Sequence, residues 1–220
     1  MLINEAKKIN EYIETFLKGK KGIAINIGSS TTDFIDISQP YIRNFVLNPL
    51  SLNFKILNID IKSQEGVDLV ADFTTLEGQK SIASLNGNLY LISNLLEHIP
   101  DYNLGIQSIS KLLNSGDVLI LSGPKSFPYH PDPIDNMFRP NLKELRNFFE
   151  EDFEIKDLQI VKSGTVFSSS VLMQNPRSMG KAIKSKGTLF KLITNPIIVF
   201  RIIRNLFYPA TAFCMFAVKR

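Results

Sequence analysis

A single cysteine, Cys214, stands among 220 residues. No internal disulfide is available, and a reducing, cytoplasmic compartment is the expectation. Histidine is nearly as scarce, with His98 and His130 alone. One cysteine and two histidines do not make up the usual zinc ligand sets, so no metal site is expected. Long apolar runs are missing too. The opening MLINEAKKINEYIETFL carries Glu5, Glu11 and Glu14 and has no apolar core, which argues against a secretory signal. In the C-terminal third, Lys191, Asn195, Arg201 and Arg204 break up the apolar stretches, and none reaches the roughly 18 residues of a spanning helix. The most informative absence is acidic. From Leu158 onward the chain holds 10 of its 25 basic residues and none of its 21 acidic ones, and a block of one sign commonly faces a partner of the other. What remains is an ordinary globular composition, 44% hydrophobic and 21% charged with 12 Gly and 11 Pro. Collagen-like, coiled-coil and wholly disordered readings fall away, and the length suits one domain, or one domain with an appendage.

Residues 4–17 space Ile9, Ile13, Phe16 and Leu17 as an amphipathic helix that stops at Gly19. Five apolar runs of strand length follow: GIAINI at 22–27, NFKILNI at 53–59, VDLVA at 67–71, NLYLIS at 88–93 and DVLILS at 117–122. They lack half-polar alternation, which is the pattern of strands buried on both faces beneath crossover helices. Helices are expected over 101–113, between Pro100 and Gly116, and over 141–151 behind Pro140. The crossovers at 28–53 and 72–88 are less plainly helical. EIKDLQIVKSGTVFSSSVLMQ then reads as two β-rich runs joined at Ser163-Gly164, a hairpin. The expected fold class is α/β: a Rossmann-like, mostly parallel sheet closed by an antiparallel terminal hairpin, with helices on both faces. Its divisions are an N-terminal helix over 1–21, the sheet domain over 22–173, and a basic, apolar extension over 174–220.

Open α/β sheets bind ligands beyond the carboxyl ends of their strands, so the residues after each run take priority. After the first run stand Gly28-Ser29-Ser30-Thr31-Thr32. Gly28 permits close backbone approach to a ligand, and it equally suits a plain turn. After the second comes Asp60, two acceptor oxygens for a diol. After the third come Asp72 and Phe73, an acceptor for an amine and an aromatic face for a ring. Each acid taken singly reads equally as a helix cap.

Three segments in order carry a resemblance: Gly66-Val67-Asp68-Leu69-Val70-Ala71-Asp72, then Ile92-Ser93-Asn94-Leu95-Leu96-Glu97-His98-Ile99-Pro100-Asp101, then Leu113-Asn114-Ser115-Gly116-Asp117-Val118-Leu119-Ile120-Leu121-Ser122-Gly123-Pro124. Together they resemble the class I methyltransferases that use S-adenosylmethionine, in particular the small type with a Leu-Glu-His motif. The resemblance implies S-adenosylmethionine as cofactor, with Asn26, Gly28 and Ser30 beside its methionine part, Asp60 on the ribose, Asp72 and Phe73 at the adenine, and Asn94 near the sulfonium. The sulfonium is already a good leaving group, so alignment is the protein's main task. The proline-stiffened FPYHPDPIDNMFRP at 127–140 resembles an insert over the acceptor side. There His130 suits a base, while Asp135 and Arg139 either bind the acceptor or pair and order the loop. Glu97 is expected to turn toward the acceptor, and His98 is either catalytic or a brace for its loop. The first motif departs from the family pattern, with Asn26 in place of an acid and Ser30 and Thr32 in place of glycines. That departure supports a second expectation, a non-catalytic scaffold or binding module of the same fold.

The basic residues Arg177, Lys181, Lys184, Lys186, Lys191, Arg201, Arg204, Lys219 and Arg220 alternate with bulky apolar blocks. An anionic membrane surface over 175–220 and a pair of helices packed on the acidic body fit this equally well; nucleic acid fits less well, because the apolar content is high. The expected function is cytoplasmic methyl transfer, peripheral at the membrane, to a small-molecule or lipid-linked, glycan-related acceptor.

Overall fold

A computed structural model describes residues 1–130, 133–166, 168 and 207–220. Helix α1 (Ile3–Phe16) turns Glu5, Ala6, Ile9, Tyr12 and Ile13 inward. Strand β1 (Gly22–Ile27) leads into a broken helical crossover, in which π-helical turns at Phe34–Ser38 and Arg43–Leu47 alternate with the short helices α2 (Pro40–Ile42) and α3 (Asn48–Ser51). Proline stands in the first turn of both short helices, Pro40 first in α2 and Pro49 second in α3, where its missing N–H costs little. These restarts explain why helical periodicity is weak there. Strands β2 (Phe54–Asp60) and β3 (Leu69–Val70) follow, then α4 (Leu76–Ala83), β4 (Leu89–Ser93), α5 (Tyr102–Leu112), β5 (Val118–Ser126), α6 (Leu142–Phe149), β6 (Phe153–Thr165) and β7 (Pro209–Lys219). Side chains satisfy the free N–H groups at three helix starts: Thr75 accepts from Gly78, Asp101 from Asn103 and Leu104, and Asn141 from Lys143 and Glu144.

The seven strands form one sheet in the order β3-β2-β1-β4-β5-β7-β6. The first five run parallel, and β7 lies antiparallel between β5 and β6. Both faces are buried, as the unbroken apolar runs require. On one face Ile25, Ile27, Ile92, Leu119 and Leu121 pack with Ile82, Ile109 and Leu145 from α4, α5 and α6. On the other, Ala24, Leu91 and Ile120 pack with Ile9 and Tyr12 of α1 and Val46 and Leu50 of the broken crossover.

The sheet is closed by an antiparallel pair as expected, but the turn is not at Ser163-Gly164. Strand β6 continues through both residues, and its register against β7 shifts between Lys162 and Thr165. Gly164, at φ +76°, serves this bulge. A glycine with positive φ suits a bulge as well as a turn, so the local signal was ambiguous. The antiparallel partner is β7, from the far end of the chain. Its Phe213, Met215 and Ala217 enter one core face and Cys214 and Phe216 the other. The division at 174 is therefore corrected: the last residues of the expected extension are an interior strand, and α1 likewise packs into the sheet domain. The remainder of that extension, including Ile197, Ile198, Phe200, Ile202 and Ile203, lies outside the described residues. Among the described residues, no helix is long and apolar enough to cross a membrane.

Candidate functional site

Strand order reverses between β1 and β4, and over the carboxyl ends of these strands opens a cavity of about 850 Å³. That is a common volume for a small-molecule site, at the place where such sheets bind. The start of α1, the crossover segment from Phe34 to Leu47, and Pro124, Phe127, His130, Pro133 and Ile134 contribute to its walls.

At the end of β1, Gly28 (φ +76°) and Ser30 (φ 62°) occupy the left-handed region. Both Gly28 N and Ser29 N donate to the Ile59 carbonyl, at 2.8 and 3.2 Å. A Cβ on Gly28 would stand 2.9 Å from Leu95 Cδ1. Asp60 ends β2 and grips this loop, its Oδ2 accepting from Ser30 N at 3.1 Å and its Oδ1 from Lys62 N at 3.0 Å. A carboxylate has about four acceptor positions, so Asp60 retains capacity toward the cavity it lines. Asp72 Oδ1 accepts from the backbone and hydroxyl of Thr74, at 2.9 and 2.6 Å. The cap of α4 is Thr75, so Asp72 is free of the helix-cap role. Phe73 is a buried part of the cavity wall.

Asn26 lines the same cavity, but its amide donates across the sheet to Asn58 Oδ1 at 2.9 Å. The carboxylate on this wall comes from elsewhere. Glu5 of α1 is fully buried and also lines the cavity. Its Oε1 accepts from Asn94 Nδ2 and Ser122 Oγ, each at 2.7 Å, and its Oε2 accepts from Leu2 N at 2.8 Å. None of these partners carries a compensating charge. Sequence reading missed Glu5, although it shares helical spacing with Ile9 and Ile13 and so sits on the apolar face of α1.

His98 and His130 line the far side, their rings edge-on with centroids 5.3 Å apart. His98 braces its loop through Nδ1 to the Ile134 carbonyl at 2.6 Å. His130 Nδ1 meets the Pro128 carbonyl at 3.0 Å, and its backbone N donates to Asp135 Oδ2 at 2.9 Å. Burial lowers the His130 pKa, outweighing the Pro128 carbonyl and Asp135. The three residues expected to bind acceptor do not reach the cavity wall. Arg139 Nη2 donates to Asp135 Oδ2 at 2.8 Å and Asp135 Oδ1 accepts from Met137 N at 2.9 Å, so this pair orders the loop. Glu97 lies behind the wall, its side chain 1% exposed and Oε1 without a hydrogen bond among the described residues. Burial, aided by the charge of Glu5, pushes its carboxyl up to about 8 against the pull of Arg139.

No family model and no curated protein matches the sequence. Solved structures match in shape. Coclaurine N-methyltransferase, bound to N-methylheliamine and SAH, superposes with a TM-score of 0.57 at 14% identity, covering 98% of this chain and 72% of that one. The MccD protein gives 0.51 at 14% identity, covering 96% of both chains. The cyclase SpnF gives 0.52 at 12% identity, covering 99% of this chain and 80% of that one. The chain has the fold of the class I methyltransferases. A cyclase on the same fold shows that function has to be argued from the site.

Proposed function

We propose that the protein is an S-adenosylmethionine-dependent methyltransferase acting on a small acceptor that enters between His98, His130 and Ile134. The observation that carries this reading is the pairing of Gly28, in a left-handed loop, with the Asp60 carboxylate across the switch point of the sheet. The loop leaves room for close backbone approach, and the carboxylate suits a ribose diol. Asp72 and Phe73 stand at the adenine end and Asn94 toward the sulfonium. Asn26 offers no charge to the cofactor's ammonium; Glu5, on the same cavity, supplies it in this reading. Methyl transfer then rests on alignment, with the imidazoles of His98 and His130 facing the acceptor. Basic residues between 177 and 204 would hold the enzyme at an anionic surface and favour a lipid-linked acceptor.

The Asn26–Asn58 bond favours a second reading, a scaffold that has lost the cofactor. Calorimetry with S-adenosylmethionine and S-adenosylhomocysteine separates the two. The enzyme binds both, and Asp60→Ala, verified as folded, binds them at least tenfold more weakly. No heat at millimolar ligand would leave the scaffold standing.

A further inference from the structure

Counting cysteines and histidines suggested that this chain holds no metal, but the structure assembles a ligand set that the count overlooked. One ligand-capable atom from each of Glu97, His98 and His130 lies within 4.8 Å of the other two. His98 Nε2 and Glu97 Oε1 are 3.9 Å apart. Ligand distances of about 2.0–2.2 Å place tetrahedral donors about 3.4 Å from one another, so closing on an ion needs the His98–Glu97 pair to contract by about 0.5 Å and no pair by more than about 1.4 Å.

The surroundings match what a metal-binding histidine requires. Each Nδ1 is held by a backbone carbonyl, Ile134 for His98 and Pro128 for His130, with Asp135 Oδ2 a further 3.2 Å contact to the latter. At His98 that pattern places the proton on Nδ1 and leaves the Nε2 lone pair free, as in metal sites generally; at His130 two acceptors, the Pro128 carbonyl and Asp135 Oδ2, outweigh one longer donor contact from Arg139 Nη2 at 3.4 Å and favour the same tautomer. No described residue hydrogen-bonds either Nε2. Glu97 Oε1 is the independent second observation: a buried carboxyl oxygen, 3.9 Å from His98 Nε2, without a hydrogen-bond partner among the described residues. A buried polar atom left in this way costs free energy that a bound cation would recover. The Arg139 guanidinium pairs with Asp135 at 2.8 Å and lies 3.4 Å from the Nδ1 side of the His130 ring, away from its Nε2.

We propose that Glu97, His98 and His130 form a binding site for a divalent first-row transition metal of the zinc, iron(II) and cobalt(II) class. Two imidazoles and one carboxylate select these ions over magnesium or calcium, which prefer all-oxygen shells. Three protein ligands leave coordination positions open, and both histidines line the cavity, so those positions face the space where an oxygen of the acceptor docks. This last step rests on the methyl-transfer reading; the metal site itself does not. In this assignment the two rings hold a metal where His130 was expected to hold a proton.

The test uses the full chain, purified without a histidine tag and treated with chelator, then titrated with cobalt(II). Cys214 is buried and does not line the cavity, so it does not compete. The expected result is one cobalt per chain with visible d–d absorption bands, displaced by one equivalent of zinc. Glu97→Gln, His98→Gln and His130→Gln, each checked for native circular dichroism, should weaken cobalt binding at least tenfold. Acetohydroxamate, a bidentate oxygen ligand, should shift the bands. A wild-type chain without bands in excess cobalt, or three folded variants that bind as tightly as wild type, overturns the site; bands that acetohydroxamate leaves unmoved overturn the open positions. S-adenosylhomocysteine binding to the chelator-treated chain is measured in parallel, so that loss of the metal proposal and loss of the methyltransferase reading are seen separately.

Discussion

Replacing Glu5 by Gln keeps the shape of the side chain and removes its charge. Two donors converge on Oε1, from Asn94 and Ser122, and one reaches Oε2, from Leu2. An amide has only one oxygen, so whichever way it turns, its NH₂ group faces a donor that the carboxylate accepted. Losing that bond and leaving a buried group unpaired costs about 1–3 kcal/mol. For a chain of this size each kcal/mol lowers Tm by roughly 2–4 °C, so Glu5→Gln should melt several degrees early and still fold. Ligand affinity falls for a separate reason. A hydrogen bond from an ammonium to a carboxylate contributes about 1.5–3 kcal/mol, and about 1.4 kcal/mol is tenfold in Kd. S-adenosylhomocysteine should therefore bind roughly ten- to a hundredfold more weakly. 5′-Methylthioadenosine has no amino acid part, and its affinity should stay within about twofold. Calorimetry with both ligands at one temperature, below both melting points, reads the difference. An equal loss for the two ligands, or a melting shift with S-adenosylhomocysteine binding intact, would refute the assignment and leave Glu5 as a brace between α1 and the sheet.

Gly28→Ala places a methyl group 2.9 Å from Leu95 Cδ1 at a φ of +76°, a conformation that costs an L-residue about 1–2 kcal/mol; calorimetry should find cofactor affinity down at least tenfold, and wild-type affinity would show that the loop does not approach the ligand. Phe216→Ala, in the middle of β7 and 1% exposed, should lose about 3–5 kcal/mol in urea unfolding; a loss under about 1 kcal/mol would contradict the interior place of that strand. Truncation near residue 174 removes β7 and cannot test the basic segment, so the membrane proposal is tested in the full chain with Lys181, Lys184, Lys186 and Lys191 changed to Glu. Each basic residue near an anionic surface contributes about 1 kcal/mol, and the altered chain should stay in solution while the wild type sediments with anionic vesicles; equal sedimentation of the two removes the proposal.

The sequence alone determined which segments fill the sheet. β1, β2, β4 and β5 were legible because strands buried on both faces need continuous apolar runs, and such runs bounded by turn residues have few other uses. Helices α5 and α6 were legible from local stops and starts at Pro100, Gly116 and Pro140. Asp60 and Asp72 were placed at one end of the sheet by the same logic, since they follow apolar runs, and Asn94 through the resemblance to the methyltransferases. Tertiary structure decided what local pattern does not encode. Strand β7 reads as one more apolar block among basic residues until it pairs with β5 and β6, two partners distant in sequence, and the bulge at Gly164 looks like a turn until the partner strand is seen. Glu5 reaches the cavity because α1 packs over the carboxyl ends of β4 and β5. Glu97 joins the two histidines because a proline-stiffened loop folds back over the short 3₁₀ turn at Leu96–His98. Periodicity records which face a residue turns inward, and it is the packing of remote elements that decides what that residue meets there.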